Sequence, residues 1–179
     1  MKSVFKEKLS TSLYLLCVLV LTFLVIKYVG QRTEVNGASM EPTLHNGDNL
    51  IVDKISYRFK EPERFDIIVF PFEYEEETYF IKRIIGMPGE EIMIDEDGVI
   101  YINGKELHES YGKEVIEDAG LAAETIALGE DEYFVMGDNR NNSTDSRSEL
   151  VGNLHRDDII GRAWVRIYPF DQMEVIAHQ

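Results

Sequence analysis

A serine in a turn is the first residue that could do chemistry. Ser39 lies in "GASMEPTL" (37–44). Its neighbours Gly37 and Ala38 are small enough for another backbone to come close, and Pro42 stiffens the chain on the other side of the serine. A serine hydroxyl is a weak nucleophile unless a base takes its proton. Without such a base, Ser39 would be an ordinary turn residue.

Lys82 is a better candidate for that base than any histidine of the chain. It lies in "TYFIKRIIGMPGE" (78–90), and because side chains alternate along a strand, Phe80 and Ile84 share its face. Apolar neighbours desolvate the ammonium group and lower its pKa, so that the neutral amine can accept a proton. Arg83 cannot replace it, because a guanidinium does not deprotonate in proteins. The alternative is an edge lysine with a solvated tip.

A third segment, "GDNRNNSTDSR" (137–147), packs many hydrogen-bonding groups directly behind the apolar run "EYFVM". A hydroxyl here could hold Lys82 in position. Asp145 and Arg147 could pair and brace the loop. The plainer interpretation is a polar turn.

Other chemistries find weaker support. A Ser-His-Asp triad stays open, but no histidine sits where a strand or a glycine turn would fix its direction. No His, Cys and carboxylate cluster has zinc spacing, and no glycine-rich loop suits a nucleotide phosphate, so we expect neither a metal nor a cofactor. The histidines are His45, His108, His155 and His178.

Charge divides the chain into two parts. The formal net charge is −15, and beyond residue 35 there are 13 Lys and Arg against 31 Asp and Glu. Such an acidic body argues against a nucleic-acid partner, because a phosphate backbone needs a basic surface. Cys17 is the single cysteine, so no intramolecular disulfide can form.

An apolar run near the N-terminus predicts a membrane anchor. Residues 9–29 are long enough to cross the hydrocarbon layer as a helix, and the stub 1–8 that precedes them carries three lysines. The positive-inside rule then favours a cytoplasmic N-terminus and an extracytoplasmic body, although Lys27 and Arg32 on the far side weaken that orientation. A cleaved signal peptide is the alternative, but no small-x-small pair follows at the right distance.

The body, residues 30–179, is predicted to be mostly β. Short runs rich in β-branched and aromatic residues alternate with turn signals such as "DEDG" and "NG". Their number and spacing favour an antiparallel β barrel or sandwich. Residues 108–125 are expected to form an extended surface segment with at most a helical turn. The predicted strands are 49–55, 65–70, 78–85, 91–94, 99–102, 132–136 and 162–167.

The order of these segments resembles the bacterial type I signal peptidases, in particular the short single-anchor form of Gram-positive bacteria. The resemblance covers nearly the whole chain and rests on the anchor, "GASMEPTL", "FDIIVF", "YFIKRIIGMPGE" and "GDNRNNSTDSR". It implies a β-rich catalytic domain outside the cytoplasmic membrane and a Ser/Lys dyad. It also implies exported preproteins with small-x-small cleavage sites as substrates and membrane lipid as a partner, and it leaves contact with export machinery open.

Residue by residue, the resemblance implies that Ser39 is the nucleophile and Lys82 the general base. Ser143 would bind and orient Lys82, and Asp145 would pair with Arg147 and also with Arg83. A further set would shape the loop and the nucleophile turn: Asp138, Asn139, Arg140, Met40 and Pro42.

One position departs from the Gram-negative branch of the family. There a hydroxyl two residues before the nucleophile helps to stabilise the oxyanion, whereas this chain has Gly37. The oxyanion would then depend on the Ser39 N–H and a second donor that the sequence does not identify.

Two other functions stay open from the sequence. One is a self-cleaving or regulatory Ser/Lys protease of a related β fold, which an N-terminal anchor fits poorly. The other is an inactive membrane-tethered binding module.

Overall fold

The N-terminal run forms a single long helix. The computed structural model describes residues 2–75 and 78–176, apart from the side chains of 2–10 and 25–27. Helix α1 extends from Lys2 to Tyr28 and so covers all but the last residue of the stretch 9–29 expected to be helical. The side chains of the stub 1–8 and of Lys27 lie outside the described part. Over the described residues, no helix is both long and apolar enough to cross a membrane, so the spanning role of 9–29 stays a prediction.

The rest of the chain is built from short strands, and all their pairings are antiparallel. The expected mostly antiparallel β class is therefore confirmed. The strands are β1 (Gly30–Glu34), β2 (Asn49–Asp53), β3 (Ile67–Pro71), β4 (Tyr79–Gly86), β5 (Glu91–Ile94), β6 (Ile100–Ile102), β7 (Lys105–Glu106), β8 (Ile126–Ala127), β9 (Glu132–Met136), β10 (Leu154–His155), β11 (Gly161–Tyr168) and β12 (Glu174–Val175).

These strands form two sheets. The larger has the order β1-β2-β11-β3-β4-β9-β10, with β12 added beside β11, and the smaller has the order β7-β6-β5-β8. Strand β4 lies inside the larger sheet: Ile68 of β3 faces Lys82, and Met136 of β9 faces Arg83. The strand with the candidate base is therefore held from both sides along part of its length.

The apolar side chains of alternate strand positions bury in three clusters. On β3, Ile67 and Val69 belong to the cluster that includes Met40 and Leu44 of the nucleophile turn. Ile68, on the opposite face, joins a second cluster. The small sheet closes over a third cluster with Phe134 and Met136 of β9. The period-two pattern of β3 thus places the turn around Ser39 against one face of the large sheet.

Residues 108–125 contain the helical turn that the sequence allowed, but the segment is not entirely at the surface. No strand forms there, and the only regular structure is one 3-10 turn at Gly120–Ala123. Ile116 and Ala122 are nevertheless buried in the cluster beneath the small sheet. Two isolated apolar residues carry no periodicity, so the sequence did not indicate their burial.

Gly161 tests how tightly β11 packs at the centre of the large sheet. A Cβ at this position would lie 2.4 Å from the Asp53 carbonyl oxygen. Because the obstacle is backbone, we expect Gly161→Ala to lower the free energy of unfolding by about 1–3 kcal/mol. Chemical unfolding in detergent micelles measures this. Gly30→Ala is the control, since its Cβ would find only ordinary contacts at 3.5 Å. Equal stability of the two variants would contradict the packing argument.

Candidate active site

Ser39 and Lys82 lie in direct contact. The Lys82 Nζ is 2.8 Å from the Ser39 Oγ, although the two residues are 43 positions apart in sequence. Lys82 is only 3% exposed. Its Nζ lies 4.9 Å from the centre of the Phe80 ring and 3.1 Å from the Ile81 carbonyl oxygen. The arrangement pairs a hydroxyl with an amine that water barely reaches.

Burial changes the acidity of that amine. Desolvation penalises the ammonium form and lowers the pKa of Lys82 to about 8. The negative charges of Asp145 and Asp138 act in the opposite direction. Burial prevails, so at neutral pH a far larger fraction of Lys82 side chains than of an ordinary lysine carries a lone pair that can accept a proton.

Each of these carboxylates is held by an arginine. The Arg83 guanidinium donates to both oxygens of Asp138, at 2.8 and 2.7 Å. Arg147 donates in the same two-pronged way to Asp145, with both bonds at 2.9 Å. The Asp145–Arg147 pair implied by the resemblance is therefore present, but Arg83 binds Asp138 rather than Asp145. All four side chains are almost fully buried. Their charges cancel locally, which limits how far the carboxylates can raise the pKa of Lys82.

The turn that presents Ser39 is fixed by a glycine and by the core. Gly37 has φ +94°, a conformation that favours glycine. Its N–H donates to the Asn46 side chain at 2.8 Å. Met40 is 1% exposed and anchors the turn in the core. Pro42 follows in a cis peptide bond.

The loop 137–147 binds this turn through backbone groups. The Asn139 N–H donates to the Ser39 carbonyl oxygen at 3.0 Å, and the Asn139 side chain donates to the Ala38 carbonyl oxygen at 3.0 Å. Both bonds orient the peptide that carries the nucleophile. The backbone N–H of Ser39 itself donates to no acceptor among the described residues.

Ser143 lies at the site without the expected bond. Its hydroxyl oxygen is buried and has no hydrogen-bond partner among the described residues. It lines the same cleft as Ser39 and Lys82. The bond from Ser143 to the Lys82 amine is thus not formed in this geometry, and an orienting role stays a prediction.

Gly137 was not singled out in the sequence, yet it is the tightest point of the site. A Cβ there would lie 2.3 Å from the Ser143 Oγ and 2.4 Å from the Ser39 carbonyl oxygen. The Gly137 N–H also donates to Asp145 at 3.0 Å. The loop can approach the nucleophile turn only because this residue has no side chain. Its place directly after a strand was the available signal.

A second feature that sequence reasoning missed is a strap formed by residues 109–117. Glu109 pairs with Arg140 at 2.8 Å, and Lys113 pairs with Glu41 at 3.0 Å. The Tyr111 ring centre lies 3.6 Å from the Arg83 guanidinium carbon. The strap therefore contacts the loop, the nucleophile turn and β4 together. Nothing in its sequence indicated these partners.

An open cleft of about 410 Å³ exposes the dyad. Among the described residues no histidine lines it, and His178 lies outside them, so a triad gains no support from the structure. The cleft is lined by residues 34–40, 79–82 and 141–144.

The sequence signature of one family, described as "Signal peptidase, peptidase S26", matches residues 8–168. The chain belongs to that family. It is accordingly a hydrolase with the peptidase activity of a signal peptidase I. The matched range contains both dyad residues.

Two sequence relatives agree with this assignment. The chain is 39% identical to a probable signal peptidase I-2 of Synechocystis sp., over 83% of this chain and 68% of that protein. It is also 39% identical to signal peptidase I P of Bacillus subtilis subsp. natto, over 89% of this chain and 88% of that protein. A crystal structure of a signal peptidase I from Enterococcus faecalis V583 is 34% identical, with a TM-score of 0.47 over 57% of this chain and 97% of that one.

Gly137→Ala tests whether the close approach of the loop to Ser39 is needed for peptidase activity. The added methyl group must displace either the Ser143 side chain or the Ser39 peptide. Because small shifts of reacting groups are costly, we expect peptidase activity to fall by about 10²-fold. Cleavage rate and thermal unfolding would be measured on the same preparation. Gly129→Ala is the control, since its Cβ would meet only the flexible Glu132 side chain at 3.3 Å. Unchanged activity of Gly137→Ala would show that the tight contact is irrelevant to the site.

Proposed function

We propose that this signal peptidase is a membrane-anchored serine endopeptidase that removes N-terminal signal peptides from exported preproteins with a Ser39/Lys82 dyad. The observation that carries the proposal is the 2.8 Å contact between the Ser39 hydroxyl and a buried amine. The small exposure of Lys82 and its lowered pKa support the role of general base.

In the acylation step, neutral Lys82 takes the proton of Ser39 while the oxygen forms a bond to the scissile carbonyl carbon. The resulting ammonium gives its proton to the departing amine as the C–N bond breaks. The mature protein leaves with a new N-terminus, and the signal peptide stays attached to Ser39 as an ester. Lys82 is then neutral again.

In the deacylation step, Lys82 takes a proton from water and the hydroxide oxygen attacks the ester carbon. The Ser39 oxygen leaves and recovers a proton from Lys82, which releases the signal peptide with a free carboxylate. One amine serves both steps because it lies beside the bond that forms and breaks.

A peptide substrate can bind by strand addition. Residues 79–82 of β4 pair with β3 on one side, whereas β9 pairs with β4 only from Arg83 onward. The second edge of 79–82 faces the cleft, where its backbone groups are open to an extended chain except for the Ile81 carbonyl oxygen, which accepts from Lys82. Lys82 lies at the end of that edge, so a bound strand would bring its carbonyl groups past Ser39. Small side chains at the first and third positions before the cut fit the shallow pockets expected of the family.

Stabilisation of the oxyanion is assigned to the Ser39 N–H. This group has no acceptor among the described residues and belongs to the nucleophile itself. The Gly37 N–H is already bound by Asn46, and Gly37 has no hydroxyl. One well-aimed donor is worth ~3 kcal/mol in acyl transfer, so the free N–H matters.

The N-terminal part is assigned to the membrane. Helix α1 includes residues 9–28 of the apolar stretch 9–29 and ends at Tyr28, shortly before the β domain. A single-pass anchor with a cytoplasmic N-terminus would keep the catalytic domain on the outer face of the cytoplasmic membrane. The apolar leader of the substrate would lie in the same bilayer, which raises the effective concentration of enzyme and cut site for each other.

Substitution of either dyad residue tests the mechanism. Ser39→Ala removes the nucleophile and Lys82→Ala removes the base, so each should reduce cleavage of a small-x-small preprotein by at least about 10²–10⁴-fold. Lys82→Arg should be equally inactive, because it keeps a charge but cannot deprotonate. Rates and circular dichroism spectra would be measured together. Normal cleavage by folded Ser39→Ala or Lys82→Ala would refute the dyad.

The pH dependence tests the electrostatics separately. Activity needs the neutral amine, so the rate should rise with pH through about 8, the pKa of Lys82. Asp145 raises that pKa, so Asp145→Asn should lower it and move the acid limb of the profile to lower pH. The control Asp131→Asn alters an exposed carboxylate beside His155 and should leave the midpoint unchanged. A shift of the limb to higher pH in Asp145→Asn would contradict the charge argument.

A further inference from the structure

The cations of the acidic body are mostly paired. Beyond residue 35 there are 13 Lys and Arg, and eight of them lie within 3.5 Å of a carboxylate. With acidic groups in such excess, a cation that lacks a carboxylate partner is notable. Among the described Lys and Arg beyond residue 35, and apart from Lys82, the residues without an ion pair are Lys54, Arg58 and Lys105. Lys60 has only a long ion pair, to Glu63 at 3.9 Å.

Three of these four cations lie in one short segment, "KISYRFK" (54–60), which we call the basic collar. It contains no acidic residue. The collar sits at the C-terminal end of α1: the Lys54 N–H donates to the Val29 carbonyl oxygen at 3.0 Å, and the Arg58 guanidinium carbon lies 5.3 Å from the centre of the Tyr28 ring. The position of its charge is therefore tied to the end of the helix.

The collar is rigidly mounted, with Arg58, Phe59 and Lys60 exposed and Lys54 half-buried, where its ammonium donates to the Gln31 side chain at 2.5 Å. Tyr57 is buried and donates its hydroxyl proton to Asp66 at 2.6 Å. The Asp53 carboxylate accepts the N–H groups of Ile55 and Ser56 at 2.9 and 3.1 Å. Phe59 is nevertheless 84% exposed beside its two basic neighbours. An exposed aromatic ring between cations is typical of a surface that meets a lipid headgroup layer.

We propose that the basic collar binds the phosphate headgroups of anionic lipids and inserts Phe59 at the membrane surface. The proposal rests on the proposed membrane anchor, because a helix that crosses the bilayer brings its outer end to the headgroup level. An anionic surface repels the rest of the body, which has 31 acidic residues against ten basic ones outside the collar. Attraction at the collar and repulsion elsewhere would set the orientation of the domain above the membrane.

Fluorescence quenching of the full chain in vesicles tests this. The single tryptophan is removed with Trp164→Phe and an indole is introduced by Phe59→Trp. We expect stronger quenching by brominated acyl chains when the vesicles contain phosphatidylglycerol than when they are pure phosphatidylcholine. Added salt should weaken that difference, because it screens the attraction.

The triple variant Lys54→Gln, Arg58→Gln and Lys60→Gln in the same background should lose the dependence on phosphatidylglycerol. Lys105→Gln is the matched control, since it removes an exposed, unpaired cation from β7, outside the collar. Equal quenching in both lipids, or an unchanged response in the triple variant, would overturn the proposal.

Flotation of the same vesicles distinguishes failure of the proposed membrane anchor from failure of the proposed basic collar. If the chain floats with both lipids but shows no phosphatidylglycerol-dependent quenching, the collar is refuted and the anchor stands. A chain that floats with neither vesicle type refutes the anchor, and the collar with it.

Discussion

The proposed mechanism depends on one contact, in which an amine that touches a hydroxyl must stay neutral enough to act as a base. Burial of Lys82 favours the neutral form, but the same region contains two carboxylates that favour the charged form. The conflict is limited because Arg83 and Arg147 each bind one carboxylate through two hydrogen bonds. Guanidinium groups suit this role, since they stay charged and match the geometry of a carboxylate. Desolvation, which lowers the pKa of Lys82, therefore outweighs the attraction of the two carboxylates, which raises it.

The fold provides that environment by bringing three distant segments to one place. Strand β4 carries the amine and is held by β3 along most of its length and by β9 at its far end. The loop after β9 reaches back to the nucleophile turn through Asn139, and Gly137 permits the close approach. The strap 109–117 ties the outside of the assembly together through Glu109, Tyr111 and Lys113. Rigid positioning of reacting groups is the contribution of such a network to catalysis.

Charge is also organised over the molecule as a whole. The body holds most of its cations in ion pairs, whereas the basic collar presents cations without close carboxylate partners at the end of α1. In the proposed function the substrate emerges from a membrane, so a defined orientation of the cleft would favour cleavage. An anchor limits the distance from the bilayer, but rotation about the helix axis needs a second contact. The collar is placed where such a contact would act.

Local sequence determined the elements and the reacting pair. β-branched and aromatic runs between turn signals predicted seven of the strands, whereas β1 and the four two-residue strands were not predicted. The neighbours of Lys82 in "YFIKRII" indicated a desolvated amine, because alternation along a strand is a local property. The tertiary structure decided the partners. Arg83 binds Asp138, which is 55 positions away, and the strap around Tyr111 packs on the site without any periodic signal. The sequence likewise did not indicate that the Ser143 hydroxyl has no hydrogen-bond partner among the described residues. Such contacts depend on which loops lie next to each other in the folded chain. Several side chains of the same type could serve as the partner, and only the tertiary structure decides which one does.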